Sequence, residues 1–106
     1  MGRKARAKYI RMSPRKIQLV LDVIRGRSVD EAYRRLELTG RRAAGPVRKV
    51  LDSAVANAGA QEMTDRVRVT RAWVGQGPAM KRLRPRAMGR ANVYKKPTAH
   101  IEIEVG

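Results

Sequence analysis

HIEIEV, residues 100–105, decides the fold. Ile101, Ile103 and Val105 alternate with Glu102 and Glu104, and a period of two is the mark of a strand with one buried face and one facing solvent. The place of this strand matters as much as its pattern. It closes GPAMKRLRPRAMGRANVYKKPTAHI, residues 77–101, which holds seven Lys or Arg and no Asp or Glu. A disordered basic tail would not return to so regular a strand, so the intervening stretch reads as a path out and back. Upstream, RVRVTRAWV, residues 66–74, alternates Val67 and Val69 with Arg66 and Arg68 and supplies the outgoing strand. Folding the chain back near Arg84 to Gly89 sets Val67 or its neighbours opposite Val105 or its neighbours, in a long antiparallel ribbon. At about 3.3 Å per residue the part beyond Gly75 would project roughly 30 Å from any core. An isolated two-stranded ribbon is marginal in water, so a partner is expected to order this arm.

The N-terminal half follows a helical grammar. KARAKYIRM, residues 4–12, reads as a strand with Ala5, Ala7, Tyr9 and Arg11 on one side. In SPRKIQLVLDVIRG, Ser13 is an N-cap, Pro14 suits the first helical position, and Ile17, Val20, Leu21 and Ile24 make one apolar stripe ending at Gly26. SVDEAYRRLELTG begins with Ser28 and Glu31 as a capping box, turns Ala32 and Leu36 inward and stops at Gly40. After Pro46, Val47, Val50, Leu51, Ala54, Val55 and Ala58 recur at helical spacing. The expected fold class is therefore α+β: three helices packed on a small antiparallel sheet with a long protruding β-hairpin. With 106 residues, 42% of them hydrophobic, the chain has room for one core. Residues 1–106 read as a single domain, with 75–97 as the extended arm.

Charge selects the partner. Lys and Arg number 25 against nine Asp and Glu, a formal net charge of +16, and such a chain repels itself until a polyanion neutralises it. The excess sits at the two ends: residues 1–21 hold seven basic residues and 66–101 hold ten, neither with an acid. Solvated faces mix signs, and these do not, so nucleic acid is the expected partner. There is no Phe and the basic runs lie outside the apolar segments, which argues against a membrane-surface helix. No apolar run of spanning length and no signal-peptide h-region is present, so the chain reads as soluble and not secreted. Zero Cys removes disulfides and Cys-ligated metal and fits a reducing compartment.

Catalytic chemistry finds little support. His100 is the single histidine, the acids of the helical segments read as caps and surface pairs, and Glu102 and Glu104 read as the solvent side of a strand. No phosphate-binding loop, nucleophile elbow or zinc-ligand cluster occurs, so no cofactor and no metal is expected. Two rivals to simple RNA binding stay open: a DNA-bending protein that inserts a basic ribbon in a minor groove, and a basic ribonuclease using His100 with Glu102. Trp73 and Tyr94 suit either base stacking or packing at the sheet edge.

SPRKIQLVLDVIRG, SAVANA and above all GPAMKRLRPRAMGRA followed by TAHI resemble the family of bacterial large-subunit ribosomal protein twenty-two, from about Tyr9 to Val105. The resemblance implies three helices on a small sheet, a non-enzymatic structural role in the large subunit and a cytoplasmic place within the ribosome. It also implies a hairpin running through ribosomal RNA to the polypeptide exit tunnel, with neighbouring ribosomal proteins and the nascent chain as partners. On it, Met80, Lys81 and Arg82 match the part of the arm near the macrolide pocket, and Gly89, Arg90 and Ala91 match the tunnel-facing tip. Met88 and Pro97 stand where basic residues are expected; the first alters the charge of the tip, and the second removes a ladder donor. The residues expected to meet RNA are Arg6, Lys8, Arg11, Arg15 and Lys16 at the globular end, and Lys81, Arg82, Arg84, Arg86, Arg90, Lys95 and Lys96 along the arm.

Overall fold

The computed structural model describes residues 3–76, 80–85, 91–96 and 98–106, the two middle segments as backbone only. Strand β1 (Lys4–Ile10) leads into helices α1 (Pro14–Ile24), α2 (Val29–Thr39) and α3 (Ala44–Asn57), followed by strands β2 (Val69–Gln76), β3 (Met80–Pro85), β4 (Ala91–Lys96) and β5 (Ala99–Val105). β5 is the middle strand of an antiparallel sheet in the order β1-β5-β2. The fold class is thus α+β, with three helices on a small antiparallel sheet. β3 and β4 pair separately, from Met80 opposite Lys96 to Pro85 opposite Ala91. The turn at residues 86–90 and the side chains of the arm lie outside the described residues.

The alternation in HIEIEV does what period two requires. Ile101, Ile103 and Val105 are fully buried, and the register places Ile103 between Ala5 of β1 and Ala72 of β2. Small residues on both flanks let the helices lie close. α3 packs on β1 and β5, α1 on β2, and the stripe Ile17, Val20, Leu21 and Ile24 is wholly buried among them. The caps follow local chemistry. The Ser28 hydroxyl accepts from the Glu31 N–H at 3.3 Å, while Gly40 ends α2 in the left-handed region at φ 62°, where a Cβ would be strained. The capping box is half realised, because the Glu31 carboxylate turns to Arg34 and Arg35.

Four departures from the sequence reading have physical causes. Tyr9 does not follow Ala5 and Ala7 inward: it is 63% exposed. Between Ala7 and Ile10, Lys8 and Tyr9 of β1 oppose the single residue His100 of β5, and this bulge reverses the parity and turns Ile10 to the core. Tyr9 itself takes φ 59°, with its N–H donating to His100 Nδ1 at 3.1 Å. Second, β2 starts at Val69, which pairs with Val105, so Val67 does not. The chain at 67–69 is instead zipped to the turn before α2, with Val29 N–H on Val67 O and Val69 N–H on Arg27 O, both at 2.8 Å. Third, α3 begins at Ala44, before Pro46, because a proline in the first turn forfeits no helical hydrogen bond. Fourth, Glu102 is buried, at 7% exposure, and does not face solvent.

At the far end of α1, Arg25 donates to the Ala72 carbonyl of β2 through Nε and Nη2, at 3.1 and 2.6 Å. Its Nη1 binds Asp22. Arg25 and Gln18 together hold the exposed Asp22 carboxyl below the usual carboxylate range.

Candidate nucleic-acid interface

Among the described residues no helix packs on the other face of the sheet. Residues opposite one another in the register share a face, so Lys4 and Arg6 of β1, Glu102 and Glu104 of β5, and Arg71 and Trp73 of β2 lie together on it. Glu102 sits at the centre. Arg6 Nη2 binds its Oε2 at 3.0 Å, and Lys4 Nζ lies 3.9 Å from Oε1 and 3.7 Å from Glu104. A carboxylate this buried needs such partners. Arg6, still 57% exposed at its side chain, is therefore partly committed to the fold. Replacing it should show this: Arg6→Ala should cost about 1 kcal/mol of stability and Lys8→Ala almost none, measured as the shift in urea midpoint of each variant.

Three rings stand on the sheet. Trp73 is 45% exposed and its ring edge comes within 3.4 Å of where a Cβ would be on Gly75. The Tyr9 and His100 rings meet edge to face, 5.0 Å apart at 88°. His100 accepts the Tyr9 N–H, and Glu102 holds two cations, so both groups of the suggested ribonuclease pair have structural tasks.

Of the other residues expected to meet RNA, Lys8, Arg11, Arg15 and Lys16 are exposed. Arg11, Arg15 and Lys16 are gathered at the start of α1, and none of the four has an ion pair among the described residues. The arm residues Lys81, Arg82, Arg84, Arg86, Arg90, Lys95 and Lys96, with Met80, Met88, Gly89 and Ala91, have side chains outside the described residues. The structure adds two residues that sequence reasoning passed over, Arg41 and Arg42, which line a groove of about 730 Å³ together with Arg11 and Lys16. They lay in a central region whose acids nearly match its bases in number, so charge counting gave no signal. Pairing sets them apart from four of their neighbours: Asp22 takes Arg25, Glu31 takes Arg34 and Arg35, and Glu37 takes Arg48. Among the described residues no helix is long and apolar enough to cross a membrane.

The chain is similar to known proteins along nearly all of its length. It is 50% identical over 108 residues to the large ribosomal subunit protein uL22 of Thermus thermophilus, covering 100% of this chain and 96% of that protein. It is 57% identical over 106 residues to uL22 of Acaryochloris marina, covering 98% of this chain and 88% of that protein. With uL22 of Deinococcus deserti it shares 53% identity over 105 residues, 97% of this chain and 76% of that protein. Residues 5–106 match the family described as Ribosomal protein L22p/L17e, and the chain belongs to that family.

Proposed function

We propose that the protein is a structural, non-enzymatic constituent of the large ribosomal subunit that binds ribosomal RNA and supports assembly of the subunit. The observation that carries this is identity of 50–57% across nearly the whole chain to large ribosomal subunit proteins. The physical chemistry agrees with it. A net charge of +16 on 106 residues needs a polyanion, and structured RNA is read through its shape and backbone, with stacking where bases are splayed out. Exposed cations at the start of α1 suit the first task, and the exposed Trp73 ring on β2 suits the second.

On this reading residues 1–106 form one domain and 75–97 its arm, whose Lys and Arg residues meet ribosomal RNA. The family resemblance supports a finer reading. Met80, Lys81 and Arg82 approach the macrolide pocket of the exit tunnel, where changes would alter antibiotic sensitivity, while Met88, Gly89, Arg90 and Ala91 face the nascent polypeptide. Other large-subunit proteins at the tunnel are its neighbours, and its place in the cell is the ribosome.

Sedimentation tests the reading. In a gradient at about 0.5 M monovalent salt, tagged protein expressed in cells should travel with large ribosomal subunits, whereas a merely basic protein is stripped, because non-specific phosphate binding falls steeply with salt. Recovery at the top of the gradient would refute the proposal, and a preference for duplex DNA over folded RNA would favour the DNA-bending alternative.

A further inference from the structure

The most concentrated unbalanced charge among the described residues is not on the sheet. Arg11, Ser13 and Lys16, at the entry to α1, form one wall of the 730 Å³ groove, and Arg41, Arg42 and Ala43, between α2 and α3, form the other. The chain makes this corner deliberately. Gly40 in the left-handed region reverses the backbone after α2, and the Ala44 N–H bonded to Arg41 O at 3.0 Å tightens the turn, bringing residues 41–43 back beside the start of α1. Four cations thus share one concavity. None of them forms an ion pair among the described residues, although Asp22, Glu31 and Glu37 each engage another arginine.

Four like charges in a concavity repel one another, and nothing in the fold demands them there. The C-terminal end of α2 reaches the same corner, but a helix end carries only about half a charge and cannot balance four. Two further features have the same sign. α1 and α3 both begin at this groove, neither has a side-chain hydrogen bond at its N-cap, and neither has an acid in its first turn. α2, which starts elsewhere, has the Ser28 cap with Asp30 and Glu31 behind it. The positive ends of α1 and α3 therefore add to the four side chains.

We infer that this groove is a phosphate cradle, in which Arg11, Lys16, Arg41 and Arg42 grip two successive backbone phosphates of an RNA strand. Four cations along one groove, planar guanidinium forks for non-bridging oxygens and unneutralised helix ends favour a sugar–phosphate backbone over a single small anion. The inference rests on the reading of this chain as an RNA-binding protein and assigns to it a site on the globular body, apart from the arm.

The test uses the full chain and a transcript of the whole large-subunit RNA. Arg41 and Arg42 are exposed and make no side-chain hydrogen bond among the described residues, so Arg41→Gln with Arg42→Gln should melt as the wild type does. This double variant should bind at least about tenfold more weakly and lower the slope of log affinity against log salt by about 1.5. Lys16 in the wild type should resist acylation when RNA is bound, while Lys49 stays reactive. An unchanged slope with Lys16 still reactive in the complex overturns the cradle, whether the groove then takes an acidic protein segment or nothing. RNA binding by the wild type with no salt dependence would instead overturn the underlying reading.

Discussion

Ile103→Ala should leave the free protein close to its unfolding midpoint at physiological temperature, with a melting temperature lowered by more than about 10 °C. Ile103 is fully buried in the middle strand, with Ala5 on one side and Ala72 on the other. Neither alanine can extend into the space left by the lost atoms, and β5 is held by ladders on both edges, so the cavity stays open. Truncations of this kind cost about 2–5 kcal/mol, against a total of about 5–15 kcal/mol for a domain of ordinary stability. This domain starts from a disadvantage, since its net charge of +16 opposes compaction until salt or RNA screens it. Ile103→Val should cost only about 1 kcal/mol. Thermal melts followed by circular dichroism at fixed salt separate the two, and a drop below about 3 °C for Ile103→Ala would show that the middle of the sheet is not where the stability lies.

The same residue shows why the fold was legible. Alternation of Ile and Glu in HIEIEV specified a strand with one buried face, and the stripe of Ile17, Val20, Leu21 and Ile24 specified a helix to cover it; both patterns are local. What could not be read from pattern depends on contacts between distant segments. The bulge at Tyr9 arises where two residues of β1 meet one of β5, and no window of sequence contains both. Glu102 was assigned to solvent because the alternation says which face it occupies and not what covers that face. The covering comes from Arg6 and Lys4 on the neighbouring strand, with Trp73 opposite Glu102 on the other flank. β2 starts three residues later than the alternation suggests, because Arg66 to Arg68 continue the pattern while the backbone there bonds to the turn before α2.

The interface was legible to a similar depth. Runs without acids pointed to both ends of the chain, and the structure gathers Arg11, Arg15 and Lys16 at the start of α1. Arg41 and Arg42 escaped because a count over a segment treats every acid as available to every base. Glu31, about one turn from Arg34 and Arg35 on α2 and paired with both, is not available to them, and the loop arginines are left without an acid partner among the described residues.

The arm carries the other large expected effect. Arg82→Gln, Arg84→Gln and Arg86→Gln together should leave the body folded, because β5 and β2 are joined from Val69 opposite Val105 to Gln76 opposite Ala99 without any help from the arm, while RNA binding drops by at least about a hundredfold near 0.2 M salt. Glutamine stays polar but is shorter than arginine, has fewer donors and carries no charge, so the salt dependence, more than the loss of affinity, isolates phosphate neutralisation. Each phosphate contact contributes about 0.7 to 0.9 to the slope of log affinity against log salt, and three lost contacts should lower it by about two to three. The melting temperature should not fall and should rise slightly at low salt, since three like charges are gone. Trypsin gives a local reading of the same event: wild-type protein should be cut between Lys81 and Lys96 when free and be protected there in large subunits, because RNA occupies those side chains. Full retention of affinity and slope by the triple variant would mean that the cations of the body, Arg11, Lys16, Arg41 and Arg42 among them, hold the RNA alone and that the length of the arm serves something other than binding.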